Sequence, residues 1–249
     1  MNSGSTTEGS RGTVNGIMRR VLGSPKRDET PAADNAGVRR PDDQAGDEID
    51  RRVTRMFALV EEAIAGATHA LLTGDREAAR ALVASDAALD ELYLELEELV
   101  YDKVVQGGLS LPETRWLLAV LAMLPELERS GDLAEHVAQR ATRSLPAEMP
   151  ARCRGYIERM GEVASRMWRM AADAYAEQQS GAEGIDRLDD EMDDLHVEFI
   201  AELVGGAVPV PVAIELALVG RFYERLGDHA VNLARRSPAR SELRPASAG

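Results

Sequence analysis

The chain has 249 residues, 44% of them hydrophobic and 4% aromatic, with 29 Lys and Arg against 43 Asp and Glu for a net charge of −14. That supplies apolar material for one large core or two small ones. A composition rich in helix formers and poor in aromatic residues excludes a β-sandwich or barrel, and so acidic a body repels phosphate backbones, which excludes nucleic acid as a partner. A single cysteine, Cys153, rules out an intramolecular disulfide framework or a cysteine-rich zinc site and fits a reduced, cytoplasmic setting.

Residues 1–47 are rich in Gly, Ser, Thr, Pro and Asp without apolar periodicity, and read as a disordered tail. Within it, the basic piece Gly16–Leu22 is short enough to form at most a helical turn on a partner. The tail carries no apolar signal segment. The longest uncharged apolar stretches, Trp116–Pro125 and Val204–Ile214, fall short of the ~20 residues a membrane span needs.

The body then reads as six helices. The first starts at Glu48 and reaches about Leu72, with Ile49, Val53, Met56, Phe57, Val60, Ile64 and Leu71 at helical spacing. Thr73-Gly74-Asp75 breaks and recaps the chain. A second helix follows to about Gln106, carrying Leu82, Leu89, Leu92, Leu96, Leu99 and Val100, and Gly107-Gly108 ends it. Ser110 and Glu113 form a capping box for the third helix, with Pro112 in the first turn and Pro125 as an internal kink. Residues 144–150 separate the halves. The fourth helix covers about 151–179, the fifth 185–204 and the sixth 212–236, and residues 238–249 form a second disordered tail. No segment alternates with period two, so the fold class is all-α.

Two stretches repeat. ERSGDLAEHVAQR at 128–140 and ERLGDHAVNLARR at 224–236 share seven of thirteen positions without a gap. The preceding helices echo this in Asp86–Leu92 and Asp189–Leu195. The chain is therefore a tandem duplication of a three-helix unit, residues 48–144 and 145–237.

The repeated residues define a chemistry. Positions four apart on a helix share a face, so Asp86 pairs with Asp90 and Glu128 with Asp132, and Asp189 pairs with Asp193 and Glu224 with Asp228. In a chain this acidic, one such pair is an ordinary solvated face. The same pair in the same setting in both halves is the signal. Two such helices side by side gather four carboxylates, an oxygen-rich cluster suited to Mg²⁺, Mn²⁺ or iron. Gly131 and Gly227 sit inside predicted helices at a cost of about 1 kcal/mol each relative to Ala, which points to close approach of a neighbouring helix. Arg129 and Arg225 point away from the acids beside them and are expected to make structural ion pairs. His136 follows Asp132 on the carboxylate face, but its counterpart is Asn232, and it reads as a surface histidine. His196 makes one Asp-x-x-His with Asp193, His229 lies off the face, and His69 has no acidic setting.

LERSGDLAEHVAQR (127–140), YERLGDHAVNLARR (223–236), DAALD (86–90) and DDEMD (189–193) resemble the PhoU family of bacterial phosphate-signalling regulators, in outline over 48–237. The resemblance implies two tandem three-helix bundles. It implies a multinuclear metal cluster (iron, manganese, magnesium or zinc) at Asp86, Asp90, Glu128 and Asp132, and a second at Asp189, Asp193, Glu224 and Asp228. It also implies a homodimer in the cytoplasm that contacts the ATPase subunit of a phosphate ABC transporter and a sensor histidine kinase, reaching the membrane only through them. Departures from the family pattern are Leu111-Pro112-Glu113-Thr114-Arg115 before the third helix, Ser130 and His136 in the first copy, and the 47-residue leader. A di-metal carboxylate oxidase needs Glu-x-x-His on two helices, which only Asp193-x-x-His196 approaches. A metal-free helical interaction protein is the other alternative.

Overall fold

The computed structural model describes residues 41–85, 87–143, 145–177, 182–206 and 208–237, and these contain helix and no strand. Among the described residues, eight helical segments follow in order: α1 (Pro41–Thr73), α2 (Arg76–Ser85), α3 (Ala87–Gln106), α4 (Leu111–Ala141), α5 (Leu145–Glu148), α6 (Ala151–Glu177), α7 (Ala182–Gly205) and α8 (Val210–Arg236). The first three-helix unit is α1, the α2–α3 arm and α4; the second is α6, α7 and α8. The basic piece at 16–22, the stretch 1–40 of the leader, Asp86 and the segment 238–249 lie outside the described residues.

Most helix ends obey local chemistry. Gly74, Gly107 and Gly108 adopt positive φ, a conformation only glycine takes without strain. Asp75 Oδ1 accepts from the backbone N–H groups of Glu77 and Ala78 at 3.1 and 3.0 Å and caps α2. The box at α4 closes in both directions, Glu113 N–H to Ser110 Oγ at 3.3 Å and Ser110 N–H to Glu113 Oε2 at 2.7 Å.

Two boundaries differ from the sequence reading. Helix α1 begins at Pro41 rather than 48, so residues 41–47 belong to the fold and not to the tail. The separator between the halves contains the single turn α5, whose buried Leu145 and Pro146 join the core. Arg154 ties that turn down, donating to the carbonyls of Pro146 at 2.7 Å and of Leu72.

All seven apolar positions read from the α1 sequence are buried. Residues 44–73 are long and apolar enough by composition to cross a membrane, with a mean hydropathy of 1.2 in the richest window, but the stripe faces α4 and α6 in the bundle core. The two units join along this helix. The Tyr223 hydroxyl donates to Thr68 Oγ1 at 2.7 Å while Thr68 donates to the Ile64 carbonyl at 2.7 Å. Gly161 makes room for that contact, since a Cβ there would come within 2.5 Å of Thr68 Cγ2.

Helices α4 and α8, which carry the repeated motif, also pack on each other. Glu126 meets Arg236, Ser130 meets His229, His136 meets Phe222 and Arg143 meets Glu215, so numbers rise on one helix as they fall on the other and the pair is antiparallel. The duplication makes each contact half of a pair. Arg236 reaches Glu126 at 3.0 Å, and the equivalent Arg140 lies over the Phe222 ring at 4.8 Å. The exchange is not like for like, because Arg236 is half-exposed whereas Arg140 is buried and also pairs with Glu215 at 3.1 Å.

The Ser130–His229 contact (2.8 Å) corresponds to Leu226 and Leu133, both buried. Here the two halves solve one position with different chemistry. Burial, then the charges of Arg225 and Arg129, push the His229 imidazole down to about 4. A histidine in an unfolded chain takes up a proton near pH 6.5, so the unfolded state binds more protons between about pH 4 and 6.5 and the fold loses stability as pH falls through that window. Ser130→Leu with His229→Leu, which copies the other half, is expected to remove this acid-side loss. Chemical denaturation midpoints at pH 7 and 5 check it, and an unchanged difference between the two pH values refutes it.

Candidate metal-binding patches

Each motif-bearing helix lies beside the arm that carries the other carboxylates: α4 packs on α3, and α8 on α7. In the first unit, Asp90 of α3 stands close enough to Glu128 and Asp132 of α4 to repel both. Burial, then Asp132 and Asp90, raise the Glu128 carboxyl above the ordinary range, with Arg129 opposing. Burial also raises Asp132, His136 counters it, and Asp90 and Glu135 add to the rise. Asp86, the fourth residue expected at this patch, lies outside the described residues.

The second patch is described in full. Burial, then Asp193 and Asp228, raise Asp189. Burial and Asp228 raise Glu224, with Arg221 opposing and Asp193 adding a further push. One Glu224 oxygen pairs with Arg221; the other, Oε2, is buried without a hydrogen-bond partner. Asp193 and Asp228 are exposed, so the patch has a half-buried floor and an open rim. Among the described residues, no three acidic, histidine or cysteine side chains converge tightly enough to enclose one ion. The patches are open clusters and not closed cages.

Other residues from the sequence reading fall into place around this. Gly227 is buried, and a Cβ there would meet Met167 Sδ of α6 at 3.3 Å and Met192 Cγ of α7 at 3.5 Å, so the glycine serves helix packing. Gly131 lines a cavity of about 30 Å³ with Leu59, Ala63, Leu82 and Leu89. Among the described residues Arg129 and Arg225 form no ion pair; both stand near His229 instead. His196 lies against Gly220, where a Cβ would come within 3.3 Å of its ring.

Sequence reasoning passed over three residues that position the second patch: Trp168, Tyr223 and Arg221. Trp168 Nε1–H donates to the Leu226 carbonyl at 3.0 Å, two residues from Glu224 and from Asp228. No local pattern marks such a tryptophan, because its partner lies 58 residues away.

An all-α molecule built twice from one three-helix unit, with a carboxylate patch on each copy, defines a class of tandem-repeat helical protein. The PhoU domain family model matches residues 53–141 and again 157–237, and the chain belongs to this family. It is 31% identical over 193 residues to the phosphate-specific transport system accessory protein PhoU homolog 2 of Mycobacterium bovis, covering 76% of this chain and 91% of that one. It is 29% identical over 187 residues to the PhoU homolog of Caulobacter vibrioides, covering 73% and 81%. Among solved structures, the fold is similar to PhoU from Pseudomonas aeruginosa, with a TM-score of 0.74 at 22% identity over 78% of this chain and 96% of that one. It is likewise similar to the phosphate transport system regulatory protein PhoU from Streptococcus pneumoniae, with a TM-score of 0.70 at 19% identity over 78% and 94%.

Proposed function

We propose that the protein is a non-enzymatic cytoplasmic regulator of phosphate transport, a metal-binding adaptor between the ATPase subunit of a phosphate ABC transporter and a sensor histidine kinase. Membership of the PhoU family and relatives named as phosphate-specific transport accessory proteins support the transport role. The observation that carries the metal part is the duplicated carboxylate patch, with a buried Glu224 oxygen that has no donor.

The donor set fits a cation. Unpaired carboxylate oxygens that repel one another and are partly desolvated are stabilised by a positive ion, and oxygen ligands suit Mg²⁺, Mn²⁺ or iron, with zinc also accommodated. Asp90, Glu128 and Asp132, joined by Asp86, would hold one site; Asp189, Asp193, Glu224 and Asp228 would hold the other. When bound, the metal supplies charge neutralisation. The chain's own part is to present the ligands from paired helices, so that occupancy fastens α3 to α4 and α7 to α8 and fixes the surface a partner meets. An exposed rim on each copy suits such recognition by a second protein.

The test is metal analysis of protein purified without chelator, set beside the Asp132→Ala, Asp228→Ala double variant. The double variant is expected to lose most bound metal and to fail to restrain phosphate uptake in cells that lack the native gene. Unchanged metal content removes the cluster assignment, and normal restraint of uptake without metal removes its regulatory role.

A further inference from the structure

Among the described residues, eleven large hydrophobic side chains are exposed, and every one lies on α3, α4, α7 or α8. Single exposed leucines are ordinary, but exposure confined to the two hairpins that carry the carboxylates is a patch. Six of the eleven form three pairs related by the duplication. Leu94 and Val197 stand four residues beyond Asp90 and Asp193, and Tyr101 and Val204 stand eleven beyond the same two aspartates. Leu118 and Ile214 stand fourteen before Asp132 and Asp228. All six are more than half exposed. The residue types differ between the copies while the apolar character is kept, at positions where the bundle core does not require it.

Steps of four, eleven and fourteen are close to one, three and four whole turns, so each of the six shares a helix side with the carboxylates. Each hairpin is antiparallel, its helices joined by four residues. Asp90 stands beside Glu128, so Tyr101 comes level with Leu118. Asp193 stands beside Glu224, and by the same count Val204 comes level with Ile214. An apolar strip therefore runs along the seam of each hairpin, from its loop end up to the carboxylate patch.

Charge decides what covers the strips. Helix α3 carries six acids and one base, the buried Lys103, and α7 carries nine acids and one base. Glu91 and Glu98 on α3, and Asp190 and Asp194 on α7, are exposed and lie outside the ligand sets given above. A second copy of the chain would set these acids against themselves, and an anionic bilayer would be repelled likewise. The seam between two antiparallel helices accepts the apolar face of a third, and complementary flanking charge selects which one. We propose that each strip docks one amphipathic helix of a partner protein, with Lys and Arg on either side of its apolar stripe. This rests on the adaptor reading above and gives the adaptor its surface. Two equivalent strips let one chain hold two such helices at once.

Fluorescence anisotropy with the full chain tests this. The probe is a labelled peptide of leucine, alanine and lysine, about 18 residues long to make five turns, with its leucines on one face. Its control is a scrambled isomer of the same charge. The chain is expected to bind the amphipathic peptide at least about tenfold more tightly than the isomer, the difference that burying a leucine makes. Leu94→Gln with Leu118→Gln should empty one strip and halve the peptide bound. Adding Val197→Gln with Ile214→Gln should abolish the preference, with bound metal and far-UV circular dichroism unchanged. The sites are exposed and glutamine is a good helix former, so the fold is kept. In cells that lack the native gene, the fourfold variant should no longer restrain phosphate uptake.

Equal binding of peptide and isomer means that charge alone acts, and it overturns the proposal, as does a preference that survives all four substitutions. A parent dimer that the fourfold variant breaks up, with no peptide preference, assigns the strips to a second copy and overturns it too. Capture of the parent by phosphatidylglycerol vesicles, again without peptide preference, does the same. If the parent itself fails to restrain uptake, the adaptor reading falls, while the peptide result still decides the strips.

Discussion

Trp168→Ala is expected to cost about 3–5 kcal/mol of folding stability, the usual range for removing a fully buried large aromatic. Trp168 is wholly inaccessible to solvent, tilted against Phe57 of α1 with ring centroids 6.0 Å apart, and bonded through Nε1–H to the Leu226 carbonyl of α8. It therefore touches the first unit on one side and the motif-bearing helix of the second on the other. Removing it opens a cavity where α1, α6 and α8 meet, at a point that packing cannot close without moving α8. Domains of this kind are stable by about 5–15 kcal/mol, so the loss takes a large share of the whole. Trp168→Phe keeps most of the volume and gives up the hydrogen bond, and should cost about 1 kcal/mol from that bond plus a small packing loss. Urea denaturation followed by circular dichroism measures both. A midpoint for the alanine variant within error of the parent would mean that the junction is not as tightly packed as its geometry indicates.

Glu224→Gln is expected to move stability and metal affinity in opposite directions. In the metal-free protein the Glu224 carboxylate has one buried oxygen without a partner and stands near Asp228 and Asp193. Its carboxyl is raised above the ordinary range, so the folded state holds that proton more tightly than the unfolded chain does. The sign follows: the fold loses stability as pH rises from the ordinary carboxylate range through the raised value, and the penalty stays in force above it. An amide cannot ionise, and its N–H can donate to a neighbouring carboxylate. Relief of one unsatisfied buried polar atom is worth about 1–3 kcal/mol, and each kcal/mol raises Tm by about 2–4 °C in a chain of this size. The metal-free variant should thus melt higher than the parent at pH 8, with the gap narrowing at pH 4. Cation binding, which needs the charge, should weaken by an order of magnitude or more, as loss of a charged ligand implies. Melting curves with and without added Mn²⁺ read both effects, and a variant that melts lower in the absence of metal would show that the patch is not under repulsion.

Much of this architecture was legible in the residues themselves. Helix periodicity, the box at Ser110 and Glu113, the stops at Gly74 and Gly107-Gly108 and the duplicated motif depend on neighbours within a few positions, and such short-range chemistry is written directly in the chain. The carboxylate pairs could be found for the same reason, since i,i+4 spacing settles which side of a helix they occupy. The entry of α1 at Pro41 was hidden by a polar, Gly-containing stretch that reads as tail and is helical only as the lead-in to a packed helix.

What the chain alone determined was that it is helical and that it is built twice. Only the tertiary structure decided how the helices meet. It set the antiparallel seating of α4 on α8, the exchange of Arg236–Glu126 for Arg140–Phe222, the polar Ser130–His229 contact opposite a leucine pair, and the stacking of the His136 ring on Phe222. The partners in those contacts lie between 82 and 110 positions apart, as in Arg140–Phe222 and Glu126–Arg236. No periodic pattern spans such distances, and which groups meet depends on how whole helices pack rather than on what any short segment prefers.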